Sequence, residues 1–426
     1  MSQGPSSIQR PTPVSADPIP EIPEHLRPTP APLGVTTARI TGRTELGVVF
    51  KATYRFDDPL RPQWAEQQLP LARTNVAHEE LVPGVAPSMK EVPELLGFCS
   101  GTDIVIRGHA RPARPTATMQ VGVVVGRLRH VAQVSGRRLV DRSGSRLVFT
   151  APEPFEAMPL RYELAYGGID RDLEHRVSEA LTLQMKPEEL RRLHAVGRDH
   201  LQGVPPVAYP RNPYGKGFSF GGDSNAVLGK ELPNVELDGD LLTPDRLWPP
   251  RPLQWPRQPL PAGFDYMDVT MYPRTAMMGL PPLADADLDG IAEVVTGQVP
   301  RGFSRGNVLY AEREEIPDLI HPELARCAPI GLRSAFLRGN ESVNLYGMDP
   351  ARPEFALRLP GVQPIFALPM GEGGRELVPQ LYHIFVDVDE RTLSLLWGAR
   401  IPWDRPLMPG EDLEIASHIR VYSREV

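Results

Sequence analysis

Forty-nine prolines and 37 glycines, about a fifth of 426 residues, set the first limit on what this chain can fold into. Proline removes a backbone donor and clashes with the preceding helical turn, so a proline every few residues prevents long helices. The content stays below the roughly 25–30% of Pro and Gly that marks disorder. With 41% apolar residues, a chain of this length has ample core to fold without staples. The expectation is a mainly β protein, with antiparallel sheets in sandwich-like halves, a short helical insertion and a long irregular central segment.

Residues 1–33 hold nine prolines and almost no apolar periodicity, which reads as a disordered or extended tail. Period-2 alternation then begins. Val48, Phe50, Ala52, Tyr54 and Phe56 fall on one side of a strand, while Lys51, Thr53 and Arg55 fall on the other, the pattern of a half-buried strand. Further strands are expected at Asp103–Ala110, Ala117–Val125 and Arg129–Val140, the last folding back through Ser135-Gly136, and at Leu160–Tyr166. Together they predict an N-terminal antiparallel β domain over 34–170. The central region, 171–300, is loop-rich, with one helix near 187–196 that starts at Pro187 and is capped at Gly197. A C-terminal β region, 301–426, is expected to pack on the N-terminal domain. Its strands are read from Tyr382, Ile384, Val386 and Val388, a turn at Asp389-Glu390, the run Leu393 to Trp397, and a final strand through Leu413, Ile415, Ser417, Ile419 and Val421.

Charge and cysteine content narrow the function. A formal charge of -7 without a basic block lacks the footprint that nucleic acid demands, so no nucleic-acid partner is expected. The first twenty residues contain no apolar signal core and no stretch approaches 18 apolar residues, so neither export nor membrane insertion is expected. Cys99 and Cys327 are too few for a disulfide framework or a zinc site, which makes a cytoplasmic setting the simplest expectation.

Tests for catalytic chemistry return little. The ten histidines form no H-E-x-x-H pair, and Gly222-Asp223-Ser224-Asn225-Ala226 lacks the second glycine of a nucleophile elbow. Both cysteines sit in apolar surroundings that suit a buried, inert thiol. Asp285, Asp287 and Asp289 copy the start of a calcium loop, but Thr296 stands where a bidentate Glu is required, so a solvated acidic turn is the preferred reading and calcium is left open. No metal, cofactor or catalytic residue is assigned.

Four motifs carry a resemblance. Phe50-Lys51-Ala52-Thr53-Tyr54, then Pro159 to Gly168 (P-L-R-Y-E-L-A-Y-G-G), then Arg211 to Phe218 (R-N-P-Y-G-K-G-F), then Leu232-Pro233-Asn234-Val235-Glu236 follow in the order that resembles the bacterial family DUF2169, from about residue 35 to 300. Phe385–Arg400, with Trp397, is similar to its closing strands. Members are associated with type VI secretion clusters, where some act as adaptors or chaperones. The resemblance therefore implies a non-enzymatic adaptor that binds a toxic effector and aids its loading onto the spike protein.

A binding protein of this kind needs aromatic anchors on stiff sheets. The partner-binding candidates are Tyr166, Gly167, Gly168, Tyr209, Arg211, Asn212, Pro213, Tyr214, Gly215, Gly217, Phe218, Phe220, Trp248 and Trp255. Two alternatives stand beside this reading. A glycan-binding or glycoside-acting β-sandwich would use Glu163 and Glu236 as an open carboxylate pair. A structural component of a secretion apparatus would form a symmetric oligomer.

Overall fold

The structure, a computed structural model, describes residues 32–40, 43–95, 99–171, 208–217, 224–247, 258–272, 274, 325–368 and 374–425. Residues 1–31, the helix expected near 187–196 and the acidic turn at 285–289 lie outside the described residues. The first strands are β1 (Leu33–Ile40), β2 (Arg43–Arg55), β3 (Gln63–Trp64), β4 (Val76–Ala77) and β5 (Met89–Glu91). Next come β6 (Thr102–Arg107), β7 (His109–Ala110), β8 (Thr118–Val125), β9 (Leu128–Ser135), β10 (Val140–Ser143), β11 (Arg146–Phe149) and β12 (Met158–Pro159). The central region adds β13 (Val235–Leu237) and the single turn α1 (Pro244–Leu247). The last third adds β14 (Arg333–Ser334), β15 (Ser342–Tyr346), β16 (Glu354–Arg358), β17 (Val362–Leu368) and β18 (Arg375–Leu377). It ends with β19 (Gln380–Asp387), β20 (Thr392–Pro402), the helix α2 (Glu411–His418) and β21 (Arg420–Glu425).

The protein is mainly β, as its composition predicts. The larger sheet runs β1-β2-β20-β19-β6-β14 with β3 attached to β2, and a five-stranded sheet runs β13-β9-β8-β15-β16. Within these two sheets every pair is antiparallel except β6 beside β19. Leu46 and Val48 of β2, Ile104 of β6 and Leu395 of β20 share one buried cluster with Val121 and Val123 of β8, Ala132 of β9 and Leu345 of β15. The apolar side of each alternating strand therefore supplies a common core.

Strand pairing brings the C-terminal strands into both large sheets, while β18-β17-β21 form a sheet of their own. β20 lies between β2 and β19, and β15 pairs with β8, so each large sheet is woven from both ends of the chain. Alternation reveals which residues share a face but not which strands are neighbours.

β2 also departs from the half-buried pattern. Its second face is covered by residues from the irregular stretch after β3: Leu71, Leu95 and Cys99 pack on Val49, Tyr382 and Leu396. Lys51 is consequently buried, 8% exposed. Its ammonium donates to both Glu94 oxygens at 2.8 and 2.9 Å and to Pro70 O at 3.2 Å.

Three local expectations are corrected. The hairpin turn is not at Ser135-Gly136; β8 and β9 close at Gly126-Arg127, where Gly126 takes φ +57°, the positive value a two-residue hairpin loop favours. The Leu160–Tyr166 run is interrupted by a 3-10 turn at Tyr162–Leu164, because Leu164 N–H closes back onto Arg161 O at 3.0 Å. The run from Leu413 is the helix α2, not a strand, and only Arg420–Glu425 is extended. Glu411, Asp412 and Glu414 in its first turn and His418 in its last suit a helix dipole, a signal that competes with the alternation.

Asp103 shows how irregular chain is fastened to this sheet. Its side chain is wholly buried; Oδ1 accepts from Arg326 Nε at 2.5 Å, and Oδ2 accepts from the N–H groups of Cys327 and Ala328 at 2.5 and 3.0 Å. Burial raises its carboxyl, but the electrostatic influence of Arg326, His383 and Arg333 and the Arg326 hydrogen bond together outweigh this and hold it below the ordinary carboxylate range. Asp103→Asn leaves Arg326 buried without its counter-charge, and urea unfolding should show a loss of about 3–5 kcal/mol. Because the folded value is depressed, this stability is present above about pH 4 and lost as pH falls through the folded value. The variant should therefore lose less further stability than the native chain on acidification below about pH 4. A loss under about 1 kcal/mol with parallel pH profiles would contradict this assignment.

Candidate functional site

The last three of the four ordered motifs meet in space. After the 3-10 turn, Ala165 bridges Val235 of β13, and the chain reaches Gly167 and Gly168 at φ +145° and +109°. A Cβ on Gly167 would lie 2.2 Å from Asn212 O, and one on Gly168 would lie 2.2 Å from Gly215 O. A Cβ on Gly215 would in turn stand 2.3 Å from the Gly167 carbonyl carbon. Glycine is needed here for close backbone approach as well as for φ. Gly168 N–H donates to Asn212 O at 2.7 Å, Tyr209 N–H to Gly168 O at 2.8 Å, and Gly217 N–H to Gly167 O at 3.0 Å.

Asn212 is the hub. Fully buried, it donates from Nδ2 to the carbonyls of Tyr162 and Tyr166 at 2.9 and 3.1 Å and accepts Tyr214 N–H on Oδ1 at 3.1 Å. Pro213 beside it is half-buried. The fourth motif locks on through Asn234, whose N–H reaches Leu164 O at 2.8 Å and whose Nδ2 reaches Ser135 O at 3.0 Å. Lys216 joins the third motif to the fourth, donating to Asn234 Oδ1 at 2.6 Å and Glu231 Oε2 at 2.9 Å.

The candidate anchors of this cluster face inward. Tyr166, Tyr209 and Tyr214 are 4%, 0% and 8% exposed, and Arg211 is 4% exposed. Tyr166 and Tyr209 meet edge to face at 5.1 Å. Tyr209 donates to Pro259 O at 2.8 Å, while Arg211 donates to the Tyr209 hydroxyl and to Gln258 O, each at 3.1 Å. The Tyr214 hydroxyl donates to Asp268 Oδ2 at 2.5 Å. Burial pushes all three phenols above their ordinary range. The expectation that these rings are presented to a partner is thus replaced by a packing role, since each hydroxyl finds its acceptor inside the fold. Phe218, Phe220, Trp248 and Trp255 lie outside the described residues.

The carboxylates of the motifs are likewise internal. Glu163 is wholly buried, pairs with Arg161, and accepts Ser88 N–H and Oγ–H at 2.9 and 2.8 Å. Glu236, 3% exposed, pairs with Arg138 and accepts Leu242 N–H at 2.8 Å. The two do not form the open pair that glycoside hydrolysis requires. Between the motifs lies a cavity with about 30 Å³ open to water, bordered by Tyr166, Gly167, Lys216, Glu231, Leu232 and Leu247. That space suits water; metabolite pockets run to roughly 300–1,000 Å³.

One further cluster holds metal-ligand types. Single ligand atoms of buried Asp103, Cys327 and His383 lie within 4.8 Å of one another. The Cys327 sulfur is 3.6 Å from His383 Nε2 and 4.0 Å from Nδ1, within reach of a thiol–imidazole hydrogen bond. Asp103 already accepts three hydrogen bonds, and the Arg326 cation stands against it. This arrangement does not fit a bound cation. Burial raises the thiol well above its usual range and lowers the imidazole, which suits a neutral pair.

Surface residues outside the motifs were missed by sequence reasoning. Leu60, Trp64 and Leu69 are 61%, 44% and 36% exposed within ten residues of chain. Trp64 sits in β3 and is held edge-on against Tyr54 of β2, with centroids 5.5 Å apart at 87°. Its isolation among Pro62, Gln63, Glu66, Gln67 and Gln68 was the available signal, an apolar residue with no periodic companions.

A model for a family described as an uncharacterized protein conserved in bacteria (DUF2169) matches residues 41–398. Neither a curated protein nor a solved structure matches the chain.

Two substitutions test the packing role of the motifs. Gly168→Ala should cost at least about 1–3 kcal/mol, measured by urea unfolding, through backbone strain and collision with Gly215. Tyr214→Phe should cost about 0.5–1.5 kcal/mol by removing one of the donors to Asp268, which keeps Thr270 Oγ1–H and Val269 N–H, and an unchanged midpoint for both would remove that role.

Proposed function

The chain belongs to the DUF2169 family of bacterial proteins, and from that premise we propose that it is a non-enzymatic adaptor or chaperone that binds a type VI secretion effector and aids its loading onto the spike protein. The link to type VI secretion rests on what the family resemblance implies. The binding role rests on Trp64, an aromatic ring clamped by a strand yet 44% exposed. Rigid aromatics contribute large contact area at small entropic cost, which makes them strong interface anchors. Leu60 and Leu69 flank it in sequence and are also exposed; the three supply the apolar anchors first sought in the Tyr166 and Tyr214 loops. Loading would take place in the cytoplasm, before the spike is fired.

The test is co-purification from cells expressing the tagged protein with the toxin and spike genes that neighbour it. Both partners should be recovered at low salt, and Trp64→Ala should reduce toxin recovery at least tenfold while the thermal midpoint moves by only a few degrees. Recovery of neither partner, or undiminished recovery with Trp64→Ala, would contradict this reading.

A further inference from the structure

Among the described residues, β1 carries no strand on its outer edge. Lys51 N–H donates to Pro32 O at 3.0 Å, and in the register Leu33↔Phe50 through Ile40↔Arg43 this makes the even-numbered residues of β1 the hydrogen-bonded partners of β2. The N–H and C=O groups of Val35 and Thr37 therefore point away from the sheet. β1 ends the strand order, and among the described residues these groups meet no backbone partner. Val35 is only 3% exposed. Thr37 is half-exposed, so these groups rely on water where a neighbouring strand would otherwise satisfy them.

They border a groove of about 410 Å³ whose other walls are Leu95, Leu407 and Met408, with Arg73 and Asp412 at its sides. Arg73 belongs to the irregular stretch after β3, and Asp412 to the first turn of α2. Their side chains meet at 3.7 Å and are 55% and 31% exposed, a loose pair that exchanges readily for other charged partners.

We propose that this groove is a strand-acceptor site, in which an extended segment of the partner polypeptide adds to β1 as a further strand of the larger sheet. The proposal deepens the adaptor reading and rests on it for the source of that segment. A recessed edge selects the occupant. A second copy would have to bring its own β1 between the same two walls, and its walls would collide with these. Residues 1–31 hold no run longer than five without a proline, and proline cannot donate to a ladder. The fitting partner is a proline-free extended segment with β-branched side chains against Leu95 and Leu407, carrying one basic and one acidic residue to replace the Arg73–Asp412 contact.

The probe is the capped peptide Lys-Thr-Val-Thr-Val-Thr-Val-Glu, with a version N-methylated at its six central residues as control, added to the full chain. The unmodified peptide should bind saturably in calorimetry and slow amide exchange at Val35 and Thr37 at least tenfold, and the methylated version should bind at least tenfold more weakly. Equal binding of the two peptides, or unchanged exchange at both amides, would overturn the proposal. So would protection already present without peptide that vanishes on removing residues 1–31, which assigns the groove to the chain's own leader, or protection that rises with protein concentration alone, which assigns it to a second copy. Toxin captured at full strength while the peptide saturates the groove would leave the adaptor reading standing and reject this site.

Discussion

Buried carboxylates that accept backbone N–H groups from irregular chain are the interaction on which this structure depends. Proline and glycine leave long stretches without helix or ladder bonds, yet a buried N–H must find an acceptor. Glu94 takes Ala72, Glu163 takes Ser88, Glu236 takes Leu242, Asp240 takes Leu260, and Asp103 takes Cys327 and Ala328. All five acids, of which Asp240 is half-buried, are also paired with a cation: Lys51, Arg161, Arg138, Arg246 and Arg326 respectively. Hydrogen bonds assisted by charge in this way are the stronger ones. Loops that would otherwise be loose become a second layer over the sheets.

The same device explains which parts were legible in advance. Strands β2, β8, β19 and β20 were visible because their apolar residues alternate toward a shared core. Pairing was not, since β20 lies between β2 and β19 and no local pattern encodes a neighbour hundreds of residues away. Lys51 was read as solvent-facing because its cover, Glu94 and Leu95, comes from a stretch without period. The motif loops were recognisable as a shaped unit from their glycines, but burial of Tyr209 and Tyr214 was not: an aromatic ring among prolines reads alike whether it faces solvent or an acceptor inside. Glu163 is held by Arg161 and Glu236 by Arg138.

Family membership and structure thus divide the labour differently from the first reading. The ordered motifs build a knot of three loops, while the exposed ring of Trp64 and, among the described residues, the strand-free edge of β1 lie on strands apart from it. Both border β2, which pairs with β1 along its first half and with β3 near its end. A partner engaging both would be read by one stiff ribbon, at little ordering cost to the protein.

Amide hydrogen exchange across pH examines the fastening directly. Carboxylate acceptance predicts that the amides of Ala72, Ser88, Leu242, Leu260, Cys327 and Ala328 exchange near neutral pH as slowly as those in the centres of β2 and β20, and that Cys327 and Ala328, whose acceptor Asp103 is held below the ordinary carboxylate range, lose protection as pH falls through that depressed value. Fast exchange at these six positions beside slow strands, or protection of Cys327 and Ala328 that does not fall on acidification, would contradict it.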